Sequence, residues 1–464
     1  MKGRTVLLAG IGLLTVAVLV LTYTYGPLYP TFYEARPKPL GIIPFGLVLM
    51  ACCAVLTFLA LRTRVSTWAF LGVALAIGTA VQFAFAYTEG RGFEGLRSRA
   101  TAGHGQFINA ALITEDSGEL LRNYESLSAA GKLGLFPRSK PPGTLLFYVL
   151  TERVSRIFIA HTYDERVRSD RLVNFISVVW PFVAALAVLP LYWLATLLAD
   201  QAAARMAVGL FLVVPSFNLI TLHTDQVLYP FLFLSVLALF VWALRAKTDA
   251  GRVVRGVMTG VVLCIAVFCH FPLGVAAVFC AGLWAAEFVA DTRPYAARLR
   301  SVTLLAASVG AGLAAPTLIL WVMFDYNPVV RWREALAFHT AWRRAPAIVS
   351  VRDGTSNIAE FFDWTGVPIS LLALSVFWIV RGRGLAASHR ALIATLLPVI
   401  VYLAFFSRTR AEIARLWIFL MPVICLTAAS ALADLRQTHR YAVPVVFALQ
   451  FATVYVIKIT HDFW

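Results

Sequence analysis

Charge is what this chain has least of. Of its 464 residues, 14% are Asp, Glu, Lys or Arg and 60% are hydrophobic, whereas an ordinary soluble domain carries roughly 25% charged residues. That scarcity excludes a soluble globular class, because a water-facing surface cannot be made from what is left. Cysteine is also sparse. Cys52, Cys53, Cys264, Cys269, Cys280 and Cys425 all lie inside apolar stretches, where a thiol behaves as a small hydrophobe, so neither a disulfide framework nor a metal cluster is indicated. The sequence shows no repeat of solenoid period and no low-complexity linker. It also lacks a soluble Rossmann-type unit, which argues against a nucleotide-sugar donor.

What is present is a succession of apolar runs, each near the 17 to 25 residues or so that cross a hydrocarbon layer of roughly 30 Å as helix. About thirteen spans are expected, near residues 5–24, 40–61, 67–87, 172–199, 206–222, 227–244, 256–270, 272–290, 302–323, 364–380, 391–406, 413–433 and 441–459. The pair meeting at Phe271-Pro272 reads either as two spans or as one broken helix, since proline interrupts the backbone ladder. The first run, opened by Lys2 and Arg4, has no clear small-residue cleavage site and reads as a retained span rather than a signal peptide. The fold class is therefore an all-α polytopic membrane protein.

A net charge of +16 would suggest nucleic acid in a soluble domain. Here the basic residues sit in loops between spans, so anionic headgroups and a phosphate-bearing substrate are the expected partners, and nucleic acid is not. Placing the N-terminus in the cytoplasm puts Arg4, Arg62, Arg64, Arg205, Arg252 and Arg436 in short inner segments, as the positive-inside rule requires. Two long outer segments follow, 89–171 and 325–362, in which acids, bases, Tyr, Trp and His are interleaved. Within the first, Gly105 to Leu121 and Thr144 to Ala160 are amphipathic, a pattern that suits helices lying in the interface.

Several short elements occur in a definite order. Lys140-Pro141-Pro142-Gly143 leads into an apolar run, and Arg171-Leu172 opens a long span. Pro215 precedes Thr224-Asp225 at an outer turn, and His270-Phe271-Pro272-Leu273-Gly274 interrupts a pair of spans. Pro316 precedes the second outer segment, and Arg410-Ala411-Glu412 runs on to Arg415-Leu416-Trp417. From Ser66 onward this order resembles the GT-C superfamily of membrane glycosyltransferases, especially the branch of protein O-mannosyltransferases and lipid A aminoarabinose transferases. The resemblance implies a membrane domain over 66–464, with the two spans of 1–65 as an addition to the usual plan. It also implies transfer of a sugar from a polyprenyl-phosphate carrier, by inverting displacement, to a glycan, lipid or protein acceptor at the outer face of a bacterial inner membrane. No cofactor is called for beyond that lipid-linked donor, and dependence on a divalent metal is left open.

The chemistry asks for fixed cations where negative charge gathers on the departing phosphate. Lys140 is the first expectation for that role, with Arg410 and Arg415 second. The bland alternatives are a lysine snorkelling to headgroups and arginines anchoring span ends. A base must also take the acceptor's proton, and the family keeps an Asp-Glu pair at the start of the first outer loop. This sequence departs there: Thr101 to Ala111 contains no carboxylate, and Glu115-Asp116 comes later. Glu89, Glu94 and His104 are the remaining choices, and an imidazole near its ordinary range suits proton transfer at neutral pH. Asp225, with His223 beside it, either holds a sugar hydroxyl or caps the helix that follows. His270 and Glu412 are expected to touch sugar or acceptor, although Glu412 equally suits a helix N-terminal dipole. Trp332, Trp342 and Trp364 either stack on a sugar ring or belong to the interface belt. The rival class, a transporter or flippase of lipid-linked saccharides, expects ionisable groups in mid-span and inverted symmetry between halves, and neither is evident.

Overall fold

The computed structural model describes residues 2–29, 43–62, 64–88, 91–101, 105–158, 164–219, 225–343, 348–379, 385–407, 409 and 411–461. It is helical throughout, and ten helices among these residues are long and apolar enough to cross a membrane. An eleventh is added if Val351–Thr365 and Val367–Val376, joined at 105°, count as one broken span. This is a multi-pass integral membrane protein. The span expected near 206–222 is replaced by the 12-residue helix Gln201–Leu212 and the short Pro215–Leu219. Twelve residues of helix reach only roughly 18 Å, too little for the hydrocarbon. The two halves around Phe271-Pro272 are separate spans, Asp249–Cys269 and Phe271–Ala290.

Local sequence sets where helices begin. Ser66, Asp164, Thr248 and Ser350 each accept a backbone N–H in the first turn of the helix they precede, which satisfies donors no helix can satisfy itself. Inside the bundle such orphan groups need partners from other helices, because hydrocarbon supplies none. Gln450, fully buried on Ala442–Thr460, donates to Val213 O at 2.9 Å and Thr365 O at 3.1 Å, serving two helix breaks with one amide. The 105° bend follows directly. Gly366 has φ +109°, and a Cβ there would lie 1.9 Å from the Gln450 amide, so only glycine fits.

The helix Ile418–Arg436 is the most enclosed span and runs through the centre of the bundle. Its far end gathers basic groups: Arg4 pairs with Asp434 at 2.6 Å, and Arg436 donates to Leu61 O. Arg205, fully buried, donates to the carbonyls of Arg62 and Val65 and lies over the Phe70 ring. The first two helices, Lys2–Tyr25 and Ile43–Leu61, contribute Ile11, Leu56 and Leu59 to the same core as the rest.

The 30-residue helix Tyr295–Phe324 packs along Asp249–Cys269 through two glycines set into each other's backbone. A Cβ on Gly260 would come within 2.1 Å of Val309 O, and one on Gly312 within 2.1 Å of Val257 O, the close approach that membrane helices obtain from small residues. Gly312→Val should therefore cost about 1–3 kcal/mol of stability, read as a lower thermal midpoint in detergent. Gly310→Val, where nothing lies within 4 Å, should leave the midpoint unchanged.

Candidate active site

Four separated pieces of chain meet around a cleft of about 230 Å³. They are the Phe136 to Pro141 turn, the His270 to Pro272 break, one face of the helix Pro328–Arg343, and the stretch from Leu403 to Phe419. The cleft lies at the starting end of Ile418–Arg436, opposite the Arg4, Arg205 and Arg436 cluster.

The Lys-Pro-Pro-Gly-Thr run is built for that position. Gly134, at φ +79°, packs on Gln106, whose Oε1 accepts the Phe136 N–H at 3.1 Å. The buried Tyr124 hydroxyl donates to Pro137 O at 2.9 Å. After the prolines the helix Pro142–Phe158 starts directly against the end of Asp249–Cys269. A Cβ on Gly143 would lie 2.4 Å from Phe268 O, and Thr144 Oγ1 donates to Cys269 O at 2.7 Å, occupying a carbonyl that the broken helix leaves open. Gly143 and Thr144 thus lock the Lys140 turn to the His270 break. Lys140 is 8% exposed, with Nζ 5.5 Å from the Phe107 ring centre, a cation–π distance. His270 is buried and stacked on Tyr229, centroids 4.3 Å apart.

The second outer segment is fastened by one residue. Arg331 is fully buried on Pro328–Arg343, bridges Glu125 at 2.9 Å, and donates to Ser128 Oγ at 3.2 Å and to Arg138 O at 2.9 Å. It therefore grips the same turn that Tyr124 holds, and it sets Trp332, His339 and Trp342 against the cleft. Burial pushes the Glu125 carboxyl above its usual range, and Arg331 partly offsets this.

In the last stretch of the lining Glu412 Oε2 lies 2.6 Å from Arg415 Nη2, both side chains largely buried. Ala411, just before, has φ +54°, a conformation that costs a non-glycine residue energy and needs outside support. That support comes from Val351–Thr365. Asn357 donates to Ala404 O at 3.0 Å and Thr409 O at 2.9 Å, and the fully buried Glu360 accepts the Ala414 N–H at 3.0 Å.

Lys140, His270, Glu412 and Arg415 thus line one cleft, together with Trp332 and Trp342. Trp364 does not, being fully buried edge-on to His461. Glu94 is also elsewhere: it is exposed and paired with Arg97, which in turn pairs with Asp170. Glu89, His104, His223 and Arg410 lie outside the described residues, and Asp225 opens the 3-10 turn Asp225–Leu228. The amphipathic stretch Gly105 to Leu121 is two helices, because Asp116 breaks it to cap Ser117–Arg122. Among the described residues, no three His, Cys, Asp or Glu side chains gather as a metal would require. Sequence reasoning passed over Arg331, His339, Asn357 and Glu360. The signal for the last two was a polar pair three apart on an amphipathic helix.

No protein-family model matches this sequence, and no curated protein matches it. Its fold is the GT-C type, shared with solved structures. One is the archaeal oligosaccharyltransferase AglB from Archaeoglobus fulgidus in complex with an inhibitory peptide and a dolichol-phosphate, at TM-score 0.52 and 13% identity over 85% of this chain and 55% of that one. Another is the Archaeoglobus fulgidus oligosaccharyltransferase complex with Zn and sulfate, at TM-score 0.50 and 14% identity over 85% and 53%. This chain spans about half the length of those structures, and at such identity the likeness is one of fold.

Arg331→Met should leave the Arg138 carbonyl without its donor and loosen the turn by about 1–3 kcal/mol. Amide hydrogen exchange across 124–140 should then quicken by roughly 10-fold or more while Ile418–Arg436 stays protected.

Proposed function

We propose that this protein is a GT-C-type glycosyltransferase that moves a sugar from a polyprenyl-phosphate carrier to an acceptor hydroxyl, by inverting displacement. The observation that carries the reading is the convergence of Lys140 and Arg415 with Trp332 and Trp342 on one cleft of this fold. Lysine offers a compact point charge and arginine a planar fork, and both suit phosphate oxygens. Fixed before the reaction begins, they stabilise the charge that accumulates on the departing phosphate. The indole faces offer apolar, π-rich surface to the C–H side of a sugar ring. The neighbour of like fold was solved with a dolichol-phosphate and a peptide, which supports a lipid-linked donor here as well. The basic cluster at the opposite end of Ile418–Arg436 supports a cytoplasmic N-terminus and a cleft at the outer face, in a bacterial inner membrane.

The test is transfer of radiolabelled sugar from a panel of synthetic polyprenyl-phosphate sugars by the purified protein in lipid. The native chain should transfer from at least one donor, and Lys140→Ala should lose about 100-fold or more of the rate with an unchanged thermal midpoint. Absence of transfer from every donor, alongside energised movement of intact lipid-linked saccharide across the bilayer, would overturn the reading in favour of a transporter.

A further inference from the structure

Arg171 is the last charged residue before an uncharged run that reaches Leu198, so it marks where the helix Glu165–Ala185 enters hydrocarbon. It is 8% exposed, its Nε is enclosed without a hydrogen-bond partner, and among the described residues no group accepts from its guanidinium. A guanidinium stays protonated, and taking its charge out of water is strongly unfavourable unless an anion meets it. The acids around it are engaged elsewhere. Asp170 pairs with Arg97 at 3.0 Å. Glu152, on the helix that packs alongside through Phe158 and Phe175, pairs with Arg156 at 2.7 Å and Arg168 at 3.3 Å. Asp164 caps the helix N-terminus, and Glu165 lies in its exposed first turn.

The face that carries Arg171 indicates what kind of anion would come. Arg171, Phe175, Val178 and Phe182 recur at the spacing of one helical stripe. Val178 and Phe182 are exposed, as is Val167 one turn before Arg171, so the stripe faces lipid. From Arg171 to Phe182 the helix rises roughly 16 Å, about half of the hydrocarbon thickness and so the depth of one leaflet. Asn174, one turn deeper than Arg171, is exposed and makes no hydrogen bond among the described residues, and lipid tails supply none. We propose that Arg171 anchors an anionic phospholipid of the surrounding bilayer. The guanidinium fork takes the phosphate through two N–H groups, Asn174 bonds the ester region below it, and one acyl chain lies along Phe175, Val178 and Phe182. Arg168, one turn earlier, holds Leu112 O at 2.9 Å, so a lipid seated here steadies the base of the first outer segment. None of the described residues lining the cleft belongs to this stripe, and the inference does not depend on the donor assigned above.

The simpler account is that Arg171 only packs in place. The full chain in detergent, stripped of lipid and then titrated with phosphatidylglycerol, separates the two. The lipid should raise the native thermal midpoint with concentration, as a ligand of the folded state does, and phosphatidylcholine, whose headgroup carries its own cation, should do so far less. Arg171→Met should weaken phosphatidylglycerol binding by about 10-fold or more, whereas Arg166→Met, at an exposed position of the same helix, should leave it unchanged. In the stripped state Arg171→Met should melt no lower than the native protein, because it removes an uncompensated buried charge. A lower midpoint in that state, or phosphatidylglycerol binding equal to the native protein's, overturns the inference. Should Arg171→Met fail to fold, photoreactive phosphatidylglycerol on the native chain decides: cross-links should map to 167–182, and their absence there sinks the proposal. Inorganic phosphate that raises the midpoint as much as phosphatidylglycerol overturns the lipid assignment. So does labelling of the stripe by photoreactive polyprenyl phosphate in preference to phosphatidylglycerol, which would make the site the donor's.

Discussion

Hydrocarbon offers no hydrogen bonds, and that single constraint decides where this chain is allowed to be irregular. Each described break in a span is answered by a side chain from elsewhere. Gln450 serves the ends of Gln201–Leu212 and Val351–Thr365, and Thr144 serves the end of Asp249–Cys269. Asn357 and Glu360 serve the stretch from Ala404 to Ala414. Two of these repaired breaks, at His270 and around Glu412, both line the cleft. Such breaks are tolerated only where protein groups satisfy the freed backbone, and here two of them do so beside the cleft.

The outer segments obey a different rule, since water is near and charge is tolerated. There the organising group is Arg331, which connects Glu125, Ser128 and the Arg138 carbonyl across two segments that are far apart in sequence. Its partner Glu125 is partly exposed, so the ion pair itself contributes modestly. The greater consequence is geometric. Tyr124 and Arg331 between them hold the backbone from Pro137 to Lys140, so the Lys140 side chain starts from a fixed point, and its burial restricts it further. Preorganisation of that kind is what makes a fixed cation effective in a transition state.

Much of this was legible in the sequence, and the reasons are specific. Apolar runs report membrane helices because backbone satisfaction leaves few alternatives, so the all-helical membrane plan could be read early. Lys140-Pro-Pro-Gly stood out because proline cannot continue a preceding helix but suits the first turn of the next, which here starts at Pro142. What stayed hidden depended on tertiary partners. The 12-residue Gln201–Leu212 looked like the beginning of a longer span because hydropathy does not see a break repaired by Gln450, more than two hundred residues away. Trp364 read either as a sugar platform or as part of the interface belt, yet it packs inside against His461. Arg331 carries no signal in the sequence, because its burial depends on a pocket made by another segment.

The charge on the cleft bears on what it can hold. Lys140 and Arg415 bring two cations, and Glu412 returns one negative charge, so with neutral histidines the described lining carries a single formal positive charge. A sugar linked to its lipid through one phosphate is a phosphodiester with one negative charge, which suits a lining with more cations than anions among its described residues. In the proposed reaction the phosphate gains a second negative charge as its bond to the anomeric carbon breaks. Cations already fixed at Lys140 and Arg415 meet that growing charge better than the starting one, which is the differential binding that lowers a barrier.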